Sequence, residues 1–206
     1  MRIRKSRNKN RQTAYTVELS EYDAEPPSRE WLLDELPNNI NPELEAVALY
    51  LIFGPWCGGE FIVPQKMGPN TAASISHHAG VDFFPGPIEY YPKGLAMGKR
   101  KIRLTNKIND AGSGTLVSLN LDEWNGSLRS TTSLILASNT ATFASAGGNF
   151  AALIAPAVLL AEELSMTCLD VVDLIDPEDL HAERLLLQAA GVSLAEGERI
   201  VDRVMA

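Results

Sequence analysis

From Gly54 to Gly98 the chain is punctuated by Pro55, Gly58, Gly59, Pro64, Gly68, Pro69, Gly80, Pro85, Gly86, Pro87, Pro92 and Gly94. Glycine and proline at this density permit only short elements between turns. The apolar runs at 61–63, 81–84 and 88–91 read as strands, and 71–79 as a helix of one or two turns ended by Gly80.

The segment before it carries the clearest local signal. Asn41 stands at an N-cap and Pro42 at the first helical position, with Glu43 and Glu45 in the first turn. Leu44, Val47, Ala48, Leu51 and Ile52 then recur at helical spacing, so an amphipathic helix is predicted over 42–53. Tyr15, Val17 and Leu19 alternate with Thr16 and Glu18, the pattern of a half-buried strand. Residues 21–27 form an acidic, proline-containing linker, and Ser28 is placed to cap a short helix through Leu36.

After the punctuated region, Ile102, Leu104 and Ile108 alternate with Lys101, Arg103, Thr105 and Lys107. Turn signals at 110–114 and at Asn125-Gly126 separate this strand from runs at 115–121 and 128–137. A three-stranded antiparallel meander over 99–137 follows from that spacing. No charge occurs between Arg129 and Glu162. Ser138, Asn139, Thr140, Thr142, Ser145, Asn149 and Pro156 interrupt the run, and a membrane span needs about 20 predominantly apolar residues. A buried strand, a glycine-rich loop and a buried helix are expected instead. The C-terminal part, 164–206, reads as helical: Thr167 caps one helix, Asp176-Pro177 a second ending at Gly191, and Ser193 with Glu196 a third.

The 206 residues suffice for one large domain that needs neither disulfide nor metal. Two cysteines, Cys57 and Cys168, read as free thiols. The basic start lacks the apolar stretch of a secretory signal. A cytoplasmic protein, or one inside an intracellularly assembled particle, is expected.

Net charge is −8, unevenly spread. Arg2, Arg4, Lys5, Arg7, Lys9 and Arg11 lie in residues 1–11 with no acid; removing these six cations from 18 leaves 12 against 26 acids, a body charge of −14. Like charges repel and the intervening Ser and Asn have nothing to bury, so 1–11 reads as a flexible basic arm. With Lys99, Arg100, Lys101, Arg103 and Lys107 as a second cluster, contact with nucleic acid or an acidic protein surface is expected, and with it a homo-oligomer or larger assembly. On this reading, deleting 1–11 leaves the melting temperature nearly unchanged.

The alternative is a thiol-dependent enzyme in which Cys57 is the nucleophile, His77 or His78 the base and Asp82 the group that orients it. Residues 52–60, Ile-Phe-Gly-Pro-Trp-Cys-Gly-Gly-Glu, resemble the redox motif of thioredoxins over fewer than ten positions. Glu60 stands where the second cysteine belongs, which removes two-cysteine disulfide exchange. Three histidines and two cysteines without a short ligand pair of the usual spacing make no convincing zinc site. Residues 145–149, Ser-Ala-Gly-Gly-Asn, offer backbone N–H groups to an anion, but no P-loop lysine follows. The C-terminal helix pair has helix-turn-helix proportions, yet Glu196, Glu198 and Asp202 outweigh Arg199 and Arg203 on the helix that would meet DNA.

These readings combine into an α+β protein: an arm over 1–11 and a single domain over 12–206, in which an antiparallel meander packs with the N-terminal amphipathic helix and a C-terminal helical hairpin. A non-catalytic interaction or assembly role, without cofactor, metal or membrane, is the expectation that follows.

Overall fold

The computed structural model describes residues 1–8, 11–34, 36–80, 82–96, 98–130, 133–146, 148–171 and 174–195. They form a mixed α/β structure with a large sheet and five α-helices. The strands are β1 (Arg2–Arg7), β2 (Gln12–Glu18), β3 (Glu30–Asp34), β4 (Glu60–Met67), β5 (Phe84–Ile88), β6 (Arg100–Thr105), β7 (Thr115–Asn120), β8 (Ser127–Arg129), β9 (Ser133–Ser138), β10 (Met166–Asp170) and β11 (Ser193–Leu194). The helices are α1 (Pro42–Phe53), α2 (Pro69–Ala79), α3 (Thr140–Ser145), α4 (Ala155–Leu159) and α5 (Glu183–Ala189). All eleven described strands join one sheet in the order β11-β10-β6-β7-β9-β3-β2-β1-β4-β5, with β8 paired to β9 off that path.

Residues 1–11, expected as a flexible arm, supply β1 instead, which is antiparallel to β2 and parallel to β4. The charge run concealed an alternation: Ile3 is 2% exposed, while Arg2 and Arg4 point to the open face. Repulsion is relieved by acids on neighbouring elements, Glu18 against Arg4 at 2.8 Å and Glu45 against Lys5 at 2.9 Å. Glu45 also accepts from the Tyr15 hydroxyl at 2.7 Å and from Gln65 Nε2 at 2.8 Å. Burial, followed by the Glu45 carboxylate, pushes the Tyr15 phenol well above its ordinary range. Lys9 lies outside the described residues.

Two predicted helices are strands. Ser28 makes a local turn, its hydroxyl accepting from the Glu30 N–H at 3.1 Å, and the chain enters β3 rather than a helix. Trp31 and Leu33 are then fully buried on one face. The Trp31 indole stacks on Tyr15 and donates to Thr140 Oγ1 at 2.9 Å. Likewise 166–170 pairs with β6 as β10 instead of continuing from a Thr167 cap. In both segments cross-strand burial overrides a weak capping signal.

The helix at 42–53 forms as the sequence indicates, with Asn41 Oδ1 accepting from the Glu43 N–H at 3.1 Å. It is not amphipathic in its setting, because every residue from Glu43 to Phe53 is buried. A helix covered on all sides belongs inside a layered core, and α1 packs against β4, α2 and α4. Of the predicted C-terminal hairpin, the first half lies among the described residues. Asp176 caps a 3₁₀ turn (Pro177–Leu180), α5 follows, and Gly191 turns the chain at φ +68°. Ser193 then enters β11; the remainder of the predicted final helix, 196–206, is outside the described residues.

The strands predicted over 99–137 exist, but β6, β7 and β9 pair in parallel, and only β8 with β9 is antiparallel. Alternation reports which face a residue takes, not the direction of the neighbouring strand. With β10 parallel to β6 and β11 parallel to β10, five strands make a parallel block. The chain steps outward from β6 through β7 to β9, then returns to β10 and β11 on the other side of β6. Strand order therefore reverses between β6 and β10.

The block meets the rest of the sheet where β9 runs antiparallel to β3, through one registered pair, Leu33 with Ser138. Since β3 is antiparallel to β2, and β2 to β1, the carboxyl ends of β6, β7, β9 and β10 share a sheet edge with the amino ends of β1, β3 and β4. The main core includes Ile102, Leu104, Leu116, Leu134 and Leu136 from the block together with the helices. Val117, Leu119 and Ile135, at alternate positions, form a second cluster capped by Trp124.

Candidate functional site

The cations singled out in the sequence do not form one surface. On β1, Arg4 and Lys5 are paired, and Arg7 donates to the Leu36 carbonyl and to Asn38 Oδ1. Arg11 stands at φ +65° with its carbonyl accepting from Arg7 Nε. On the other side of the seam, Arg100, Lys101 and Arg103 are exposed on β6, flanked by Lys99 and Lys107, and Lys101 pairs with Asp170 at 2.8 Å. Four strands separate β6 from β1, a distance of roughly 24 Å at the usual inter-strand spacing.

The thiol constellation is not assembled either. The Cys57 Sγ donates to the Glu60 carbonyl at 3.3 Å. Burial pushes this thiol up, with the Asp23 carboxylate adding to it against the Gly59 N–H. Among the described residues no hydrogen bond joins Cys57 or Asp82 to either histidine, and Asp82 lies exposed at a turn with φ +64°. His78 Nδ1 is instead 2.8 Å from the Tyr50 hydroxyl, and its Nε2 is 3.8 Å from Glu183 Oε1. Burial, then Glu183 and Cys57, push the Tyr50 phenol up to about 12. His77 is exposed on a groove of about 480 Å³ between α2 and α5, lined also by Ala73, Ser74, Ala182, Leu185 and Leu186. His78 also lines this groove, and its Nε2 and Glu183 Oε2 are buried without hydrogen-bond partners among the described residues.

The most coherent polar site lies where the parallel strands end. A cleft of about 160 Å³ is lined by Asn106 after β6, Ser118 and Asn120 at the end of β7, Glu123 beyond it, Ser138 and Thr140 at the end of β9, and Leu174 after β10. Leu119, Ala141 and Leu153 complete the wall. Each polar group is there for a local reason. The Asn120 carbonyl accepts from the N–H groups of Glu123 and Trp124, both at 3.0 Å, which folds residues 121–124 back over the strand end. Trp124 anchors that turn on the second apolar cluster, and Asp34 Oδ2 accepts from the Gly126 N–H at 2.6 Å.

The β9 wall is equally fixed. Asn139 Oδ1 accepts from the Leu32 N–H and Asn139 Nδ2 donates to the Glu30 carbonyl, both at 2.8 Å. Ser138 and Thr140 hydroxyls lie 2.8 Å apart, with Trp31 donating to the latter. By contrast, the side chains of Asn106, Ser118, Asn120 and Glu123 hydrogen-bond no other group among the described residues. They present amide donors and acceptors, a hydroxyl and one carboxylate to the cleft. Among the described residues the lining contains no imidazole, thiol or amine to activate a hydroxyl as a nucleophile.

Comparison with protein-family models, with curated proteins and with solved structures found no match to this chain. Sequence reasoning passed over the cleft residues because each is an ordinary Asn, Ser or Glu. The available signal was positional: Thr-Asn, Ser-Leu-Asn and Ser-Asn-Thr each close an apolar strand run. The loop at 145–149, offered as an anion site, has another duty, since Asn149 Nδ2 donates to the Leu51 carbonyl at 3.0 Å near the end of α1. Among the described residues no cluster of metal-ligating side chains occurs, and no helix is long and apolar enough to cross a membrane.

Proposed function

We propose that this chain is a small-molecule-binding protein whose ligand seats in the cleft at the carboxyl ends of β6, β7, β9 and β10. One observation carries this reading: the side chains of Asn106, Ser118, Asn120 and Glu123, without hydrogen-bond partners among the described residues, converge at the carboxyl ends of β6 and β7, beside the point between β6 and β10 where strand order reverses. In open parallel sheets the strand connections diverge at that point and leave a crevice that ligands occupy. The pinned walls from β9 and the 121–126 turn hold the donors and acceptors in place before a ligand arrives, which lowers the ordering cost of binding.

A second reading uses the α2–α5 groove, favoured by its larger volume and the exposed His77. Contact between the N-terminal cations and an acidic partner is less favoured, because Arg4 and Lys5 are already neutralised within the fold.

A fragment screen followed by amide chemical shifts separates these readings. Shifts should centre on Asn106, Ser118, Asn120 and Asn139, and Ser118→Trp, which fills the cleft, should abolish them. Shifts centred on Ser74 and His77 would transfer the function to the groove. Salt-sensitive binding of a polyanion centred on β1 would support the acidic-partner reading.

A further inference from the structure

We infer that the moiety the cleft receives is the vicinal diol of a neutral pentose, as in a ribonucleoside, with the Glu123 carboxylate accepting from its hydroxyls. The inference rests on the cleft reading and narrows it to a ligand class.

Size is the first argument. Pockets that enclose a whole drug-sized ligand span about 300–1,000 Å³, and this cleft holds about 160 Å³. It seats one ring, with the remainder of the ligand outside.

Charge is the second. Among the described residues of the lining Glu123 is the single formal charge, and none is a cation. A phosphate would meet a carboxylate without a compensating cation among the described lining residues, whereas a hydroxyl meets an acceptor. An ionised carboxylate has only acceptor sites, and its two oxygens take two neighbouring O–H donors at once. Asn106, Asn120 and Ser118 supply the mixed donors and acceptors for the remaining sugar oxygens. Leu153, Leu174 and Ala141 offer an apolar surface to the C–H side of a ring.

Position is the third. In doubly wound sheets the acid that reads ribose hydroxyls sits about 20 residues beyond the first strand's turn, past the end of the second strand. Within this block β6 is first and β7 second; Glu123 falls 18 residues after Thr105, three past the end of β7. Between β6 and β7 the chain has a 3₁₀ turn (Ile108–Asp110) and Gly112 and Gly114, but no Gly-x-Gly-x-x-Gly run and no crossover helix, so the position of the acid is the feature shared with such sheets.

The test is calorimetric titration of the full chain with the four ribonucleosides and their 2′-deoxy counterparts, alongside amide shifts. At least one ribonucleoside should bind saturably, with its deoxy form weaker by at least about tenfold. Glu123→Ala should remove that discrimination, and the neighbouring Asp122→Ala should not. Both residues are exposed, so neither change threatens the fold. Equal binding of ribo and deoxy forms, or no nucleoside binding while fragments still shift the cleft amides, overturns the diol assignment and leaves the cleft reading standing. Silence of the cleft toward nucleosides and fragments alike overturns both.

Discussion

At the scale of a residue, Asp23 shows how one carboxylate ties distant pieces of chain together. It accepts from the Met1 α-ammonium at 2.8 Å, from the Gly58 N–H at 2.9 Å, and from both the N–H and the hydroxyl of Ser20. Partial burial alone would raise its pKa, but these donors lower it from 3.8 to about 2. A carboxyl group depressed in the folded state stabilises above its unfolded value and loses that contribution as pH falls. The window here runs from about pH 4 down to about pH 2. Asp23→Asn should therefore melt lower than the parent at pH 6 and show a shallower loss of melting temperature between pH 4 and pH 2. Parallel acid limbs for the two proteins would contradict this account. Nothing in the sequence marked Asp23, because its donors come from positions 1, 20 and 58, which only the folded chain brings together.

At the scale of an element, legibility followed locality. The helix α1 could be read because Asn41, Pro42 and the apolar spacing all act within a few residues. Its cap also reaches outward, with Asn41 Nδ2 donating to the Gly94 carbonyl at 3.3 Å. Asn41→Ala should cost about 1–2 kcal/mol, measured as a shift in the urea midpoint at unchanged m-value. A shift near zero would mean that burial alone fixes the start of the helix. The strand β2 and the helix α2 were legible for the same reason, from alternation in one and from Gly80 ending the other. The strands β3 and β10 were not, since Trp31 and Leu169 take their places from partners that lie far away in sequence. For β1 the obstacle was different: counting its cations hid the single apolar residue, Ile3, that sets its register.

At the scale of the whole molecule, the N-terminal segment changes role. A tail could be removed at little cost, but β1 hydrogen-bonds β2 on one side and β4 on the other. Deleting residues 1–11 should abolish the cooperative thermal transition rather than leave it nearly unchanged. A truncated chain that still melts cooperatively near the parent temperature would return the segment to the status of an arm. The candidate cleft was illegible at this scale for a related reason. Its residues could be recognised only once the parallel directions of β6, β7, β9 and β10 were known, and amino-acid periodicity does not encode direction.

The narrow contact between β3 and β9 has a mechanical consequence. Two half-sheets meet there along little more than one rung, and the Asn139–Thr140 corner that rivets them is also a wall of the cleft. A molecule wedged against that wall presses on the joint itself. Filling the crevice and bracing the two halves against each other thus become a single event.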